Sequence, residues 1–209
     1  METYTDRREN LRQEHGNLVI EARKEAYTGA DGIARNYTSA RIETRGKFEQ
    51  QYGRFEARMK LPLGKGLWPA FWLLGADIKT AGWPTCGEID IMENIGDPRH
   101  VYGTLHGPGY SGSHGLQGQT YLPEGQAIDS AFHVYAVDWT PDLIRISVDG
   151  IVYATQSPAN LPAGKTWAYN HPFFILFNFA VGGKWPGNPD ETTRLPQQLL
   201  VDYVRVYEL

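Results

Sequence analysis

No stretch of this chain holds a 3.6-residue apolar period long enough for a substantial helix. What recurs is two-residue alternation in short runs, each closed by Gly, Pro, Asn or Asp. Residues 17–24 read as a strand after a turn at His15-Gly16, and residues 37–44 (YTSARIET) as another. In residues 52–61 (YGRFEARMKL), Phe55, Ala57 and Met59 share one face, while Arg54, Glu56, Arg58 and Lys60 share the other. Residues 67–74 (LWPAFWLL) are apolar on both faces, with Trp68, Ala70 and Trp72 opposite Pro69, Phe71 and Leu73. One side joins the core; the other is either covered or a binding wall. Residues 101–106, 132–139, 143–148, 151–155, 173–181 and 199–207 complete the set, with a hairpin signal at Asp149-Gly150. Residues 1–15 are charged and poorly periodic, and residues 107–118 form a Gly-rich stretch expected to be a mobile connection. Roughly ten short strands separated by turns predict an all-β sandwich or barrel.

The 209 residues suit a single domain spanning 1–209. Net charge is −4 with the signs interleaved, so there is no basic stripe for nucleic acid. No apolar run is long enough for a membrane helix, and the first residues, METYTDRREN, are too polar for a signal peptide. The one cysteine, Cys86, excludes an internal disulfide and reads as a small buried apolar residue. The informative bias is aromatic: 6 Trp, 12 Tyr and 8 Phe, more than a core alone needs and suited to a ring-stacking cleft.

Residues 87–94 (GEIDIMEN) carry three acids within six positions. Strict alternation would place Glu88 and Asp90 on one face and turn Glu93 to the other. Either the strand bulges near Ile91-Met92, returning Glu93 to the acid face, or Glu93 lies unpaired in the core, which is very costly. The bulge is the cheaper arrangement. A row of like charges raises at least one carboxyl pKa, an expense suited to acid–base chemistry.

With the acidic strand placed, the chain resembles family 16 of the glycoside hydrolases, and within it the bacterial laminarinases, endo-β-1,3-glucanases. The resemblance rests on EIDIME together with YTSARIET, YGRFEARMKLP, GLWPAFWLLG, GWPTCGEIDIMENIG, FHVYAVDWTPDLIRISVDG, FNFAVGGKWPG and LVDYVRVYEL. It implies a β-jelly-roll sandwich of two curved antiparallel sheets with a glycan across the concave one. It further implies a retaining mechanism, with Glu88 as nucleophile, Glu93 as general acid/base and Asp90 holding and tuning the pair. Trp68, Trp72, Trp83 and Trp185 are the candidate sugar platforms, with core packing the alternative for each. Trp83 and Trp185 fall in loops. The resemblance places His106 near the acids and turns Asn178 toward sugar, and Glu56 and Arg58 are further candidates for the cleft. No cofactor is implied for catalysis. A structural Ca²⁺ on the convex side is implied through Asp202 and the Gly16 carbonyl, with one protein ligand normally drawn from a segment that family members carry before the start of this chain. The lack of that segment is read as a truncation, expected to bare a sheet edge, weaken glycan binding and permit dimers. Secretion is implied by the family habit alone. β-1,3-1,4-Glucan hydrolysis, transglycosylation, and a β-glucan-binding module with impaired turnover are the competing functions.

Overall fold

The computed structural model describes all 209 residues. In chain order the strands are β1 (Glu2–Tyr4), β2 (Leu11–Glu14), β3 (Asn17–Thr28), β4 (Ala34–Ser39), β5 (Arg41–Glu43), β6 (Gly53–Lys60), β7 (Leu67–Gly75) and β8 (Glu88–Glu93). They continue with β9 (His100–His106), β10 (Leu116–Tyr121), β11 (His133–Thr140), β12 (Leu143–Val148), β13 (Ile151–Gln156), β14 (Phe173–Val181) and β15 (Gln197–Tyr207). One helical turn, α1 (Ile78–Ala81), interrupts the loop before β8. A nine-stranded sheet runs β1-β4-β3-β15-β6-β11-β12-β13, with β2 added on β3. A six-stranded sheet runs β10-β9-β8-β7-β14-β5. All pairings are antiparallel except β1 with β4. The expected all-β jelly roll is the observed fold.

Alternation supplies the core between the sheets. Phe55, Ala57 and Met59 from β6 and Phe71 and Leu73 from β7 are fully buried, as are Ile89, Ile91 and Met92 from β8. Phe71 and Phe177 stack at 4.7 Å, and the buried Trp139 indole donates to the Tyr169 carbonyl at 3.0 Å, so its polar atom is satisfied. The side of β7 left over, Trp68, Ala70 and Trp72, faces away from the core and lines a surface cavity.

Three expectations about elements change. Residues 37–44 do not form one strand: the chain passes between sheets at the fully buried Ala40, leaving β4 in the larger sheet and β5 in the smaller. The Ala40 carbonyl accepts the Phe179 amide, so the crossover is tied to β14 without a turn residue. The charged residues 1–15 contain β1 and β2, and the first of these closes one edge of the larger sheet. The Gly-rich stretch contains the start of β10, where Gly118 is needed for close approach. A Cβ there would lie 2.3 Å from the Tyr153 carbonyl oxygen.

Candidate active site

β8 is a central strand of the smaller sheet, between β7 and β9. Along β7 the register passes from Trp72 opposite Asp90 to Phe71 opposite Met92, so Ile91 has no partner there. Along β9 it passes from Thr104 opposite Asp90 to Tyr102 opposite Glu93, so Gly103 faces both Ile91 and Met92. The bulge lies where the spacing of the acids places it. Ile91 and Met92 both turn inward, and Glu93 returns to the face of Glu88 and Asp90.

Each glutamate has its own indole. Trp83 Nε1 donates to Glu88 Oε2 at 2.8 Å, and Trp68 Nε1 donates to Glu93 Oε1 at 2.9 Å. Trp72 Nε1 donates to Asn178 Oδ1 at 2.7 Å, which satisfies the polar residue that interrupts the β14 apolar run. His106 Nε2 lies 3.1 Å from Asp90 Oδ2 and 3.9 Å from Glu88 Oε1. The first contact is electrostatic, since Asp90 Oδ2 has no aligned donor. The loop bearing Trp83 is held from behind, where His171 Nε2 faces the Cys86 carbonyl at 3.1 Å and Asp77 Oδ1 at 3.2 Å.

Burial and crowding push all three carboxyls toward their protonated forms. Glu88 is raised to about 8, by burial first and by the Asp90 charge second, against the opposing pull of His106 and Trp83. Asp90 is raised to about 7 by burial. Glu93 is raised well above the ordinary carboxyl range by burial, then by Asp90, with Trp68 and His106 opposing. Glu88 and Asp90 are close enough to share a proton. Crowding on one buried strand face thus biases all three carboxyls toward holding a proton above the ordinary carboxyl range.

The acids separate two cavities across the strands. One of about 250 Å³ holds Glu88, Asp90 and Glu93 with Trp72, Asn178, Arg41 and Tyr4. The other, about 670 Å³, is bounded by Glu93, Trp68, His106, Thr104, Gln117, Lys184 and Trp185. Glu93 and Trp68 line both. Trp185 packs edge-on to Trp68 at 5.5 Å and to Tyr102 at 4.9 Å. Trp83 and Trp185 are 49% and 39% exposed, so they offer ring faces that core residues could not.

The structure thus brings together Glu88, Asp90, Glu93, Trp68, Trp72, Trp83, His106, Asn178 and Trp185. Glu56 and Arg58 are excluded, because β6 belongs to the opposite sheet and turns them away from the cleft. There Glu56 accepts from Arg54 at 3.0 Å, and Arg58 pairs with Asp202 at 2.6 Å. Asp202 and Gly16 do line one shallow depression. Glu14 and Asn17 line it as well, and Arg58 occupies the Asp202 carboxylate, so a hard dication that takes six to eight oxygens would have to displace that guanidinium. Glu88, Asp90 and His106 bring their ligand atoms within 4.8 Å of one another, a donor set that suits a transition-metal ion. Arg41, Tyr4, Thr104, Gln117 and Lys184 were not anticipated. The Arg41 guanidinium lies 4.7 Å above the Trp72 ring, and the Tyr4 hydroxyl end lies beside Glu2 and Asn178. Parity with His106 on β9 could have found Thr104. Arg41 was hidden by the crossover at Ala40, Tyr4 by the lack of periodicity around it, and Gln117 by the reading of its strand as a loop.

Two glutamates on one cleft-facing side of a strand, each bonded to an indole N–H, are the arrangement of a glycoside-cleaving enzyme. The family model for glycosyl hydrolases family 16 matches residues 2–205. A beta-glucanase of Rhodothermus marinus is 44% identical over 219 residues, covering 99% of this chain and 73% of that enzyme. The glucan endo-1,3-beta-glucosidase A1 of Niallia circulans is 35% identical over 222 residues, and this chain spans 32% of it. The laminarinase catalytic domain of Thermotoga maritima MSB8 superposes with a TM-score of 0.95 at 52% identity, covering 99% of this chain and 82% of that one. The chain belongs to family 16 of the glycosyl hydrolases.

Proposed function

We propose that this protein hydrolyses internal bonds of β-1,3-glucans of the laminarin type with retention of configuration. The observation that carries the reading is the placement of Glu88 and Glu93 on one cleft-facing side of one bulged strand, each with a separate indole donor. Relatives named as glucanases and laminarinases support the substrate class.

In its ionised form Glu88 is the nucleophile, with the Trp83 N–H fixing one oxygen. Glu93 carries its proton to the glycosidic oxygen as Glu88 bonds to the anomeric carbon and the leaving sugar departs. Glu93, now a carboxylate, takes a proton from the water that attacks the glycosyl ester and frees Glu88. Glu93 can serve both steps because the attacking water takes the place that the leaving sugar vacates, on the same side of the anomeric carbon. Trp72, Arg41, Asn178 and Tyr4 line the cavity that reaches Glu88, and Trp185 and Lys184 the one beyond Glu93, so the two receive sugars on either side of the cleaved bond.

A reducing-end assay on laminarin, curdlan, lichenan and agarose tests the reading. Laminarin and curdlan are expected to be cut; cleavage confined to lichenan or agarose, or binding without turnover, would refute it. Action outside the cell belongs to the same proposal, because a polymeric substrate lies there, and is checked by locating the protein in culture supernatant. Pairing of copies through a free sheet edge is checked by sedimentation, where a single-chain mass excludes it.

A further inference from the structure

The β8 bulge that places Glu93 has a latch from the other sheet. Tyr153 stands on β13, the edge strand of the larger sheet, yet its hydroxyl donates to the carbonyl of Ile91, the unpaired residue of the bulge. Tyr153 is itself an extra residue. Along β12 the register passes from Ala154 opposite Ile146 to Val152 opposite Ser147, leaving Tyr153 without a partner. One bulge therefore turns a side chain out of its own ladder and into the bulge of another strand. Gly103, opposite Ile91 and Met92 on β9, leaves the ring its path: a Cβ there would come within 2.9 Å of Tyr153 Cε2. Burial, the neighbouring Tyr135 and the nearby Glu93 and Asp90 charges raise the phenol, which keeps it a donor across the working pH range.

We infer that Tyr153 is a positioning residue for the reaction: by holding the Ile91 carbonyl it sets the bulge that turns Glu93 onto the face of Glu88. A bulge is locally free to migrate or relax, because the ladder that fixes register is broken there. An acid carried two residues beyond it moves with it. A displacement of about 1 Å in a reacting group is enough for a large rate loss. Tyr153 touches no substrate; it acts through the backbone of β8. This inference rests on the proposed hydrolysis by Glu88 and Glu93.

The test compares Tyr153→Phe with Tyr135→Phe on laminarin across pH. Tyr135 carries a hydroxyl in the same core with no hydrogen-bond partner, so its removal controls for the loss of a buried hydroxyl. Tyr153→Phe is expected to lower kcat by about 10-fold or more with KM nearly unchanged. It should also move the alkaline limb of the pH profile to lower pH, as Glu93 becomes less enclosed. Tyr135→Phe should leave both unchanged. Gly103→Ala, which crowds the ring away, should reproduce the Tyr153→Phe profile in the folded fraction. The inference is overturned if Tyr153→Phe keeps the wild-type kcat and pH profile, or if the two tyrosine variants lose activity alike. Failure of the wild-type protein to cleave laminarin would instead count against the proposed function itself.

Discussion

At the scale of the residue, the chemistry comes from what each carboxyl faces. Glu88 and Glu93 differ little in type and much in surroundings. The first is crowded by Asp90 beside His106, and the second accepts from Trp68. Glu93→Gln cannot deliver a proton, and the turnover of laminarin is expected to fall by on the order of 100- to 10,000-fold with binding retained. Steady-state rates together with calorimetric titration of laminarin oligosaccharides check both halves of that statement. Trp83→Phe has a subtler result. It removes the N–H that favours the ionised form of Glu88, so the acid limb of kcat/KM is expected to move to higher pH. An unchanged acid limb would mean that Trp83 serves only as a platform. Three acids within six positions announced this centre in the sequence, because repulsion among them is hard to justify structurally. The indole donors were not legible: a tryptophan's N–H partner depends on strands distant in sequence, and only the ring's affinity for sugar could be read.

At the scale of the element, β8 works because it is irregular. Its six residues cannot keep all the acids on one face and the apolar residues on the other without an extra residue, and that conflict is visible in EIDIME itself. The same reasoning failed on residues 37–44. Alternation persists through Ala40 while the chain changes sheets, and period-two patterning records which face a residue takes, not which sheet it joins. It failed again at β10, where glycine marks close approach to β13 rather than a turn. Glu56 and Arg58 were misplaced for the same reason, being on an outward face of the wrong sheet. The elements on either side of β8 make separate contributions. Trp72 on β7, under Arg41 and bonded to Asn178, serves the smaller cavity. Trp72→Ala is expected to raise KM for laminarin roughly 5- to 10-fold, near the worth of one aromatic contact, with a smaller change in kcat. A kcat-only effect would place Trp72 in the chemistry rather than in holding sugar.

At the scale of the molecule, the sandwich bears a cost for keeping protons in its cleft. The folded-state pKa of Glu88 is about 8 against an ordinary 4.5, and that of Asp90 about 7 against 3.8. Between those limits the folded protein binds protons that the unfolded chain has released, so stability falls as pH rises from about 4 to 8. Below that window both states are protonated and the penalty vanishes. Glu88→Gln removes the titration. It is expected to match the wild type near pH 4 and to exceed it by about 1–3 kcal/mol at pH 8 in denaturant unfolding, a gain in stability obtained at the expense of activity. A variant less stable at pH 8 than the wild type would show that Glu88 is held by its partners rather than strained by them.

Retention requires Glu88 and Glu93 to act as nucleophile and acid/base on one glucan bond. Proton NMR of laminarin oligosaccharides during the first turnovers tests that directly. The wild-type protein is predicted to release the β-anomer first, with mutarotation following, and Glu88→Gln and Glu93→Gln to release almost nothing. Initial release of the α-anomer, or near-wild-type turnover in both variants, would contradict it.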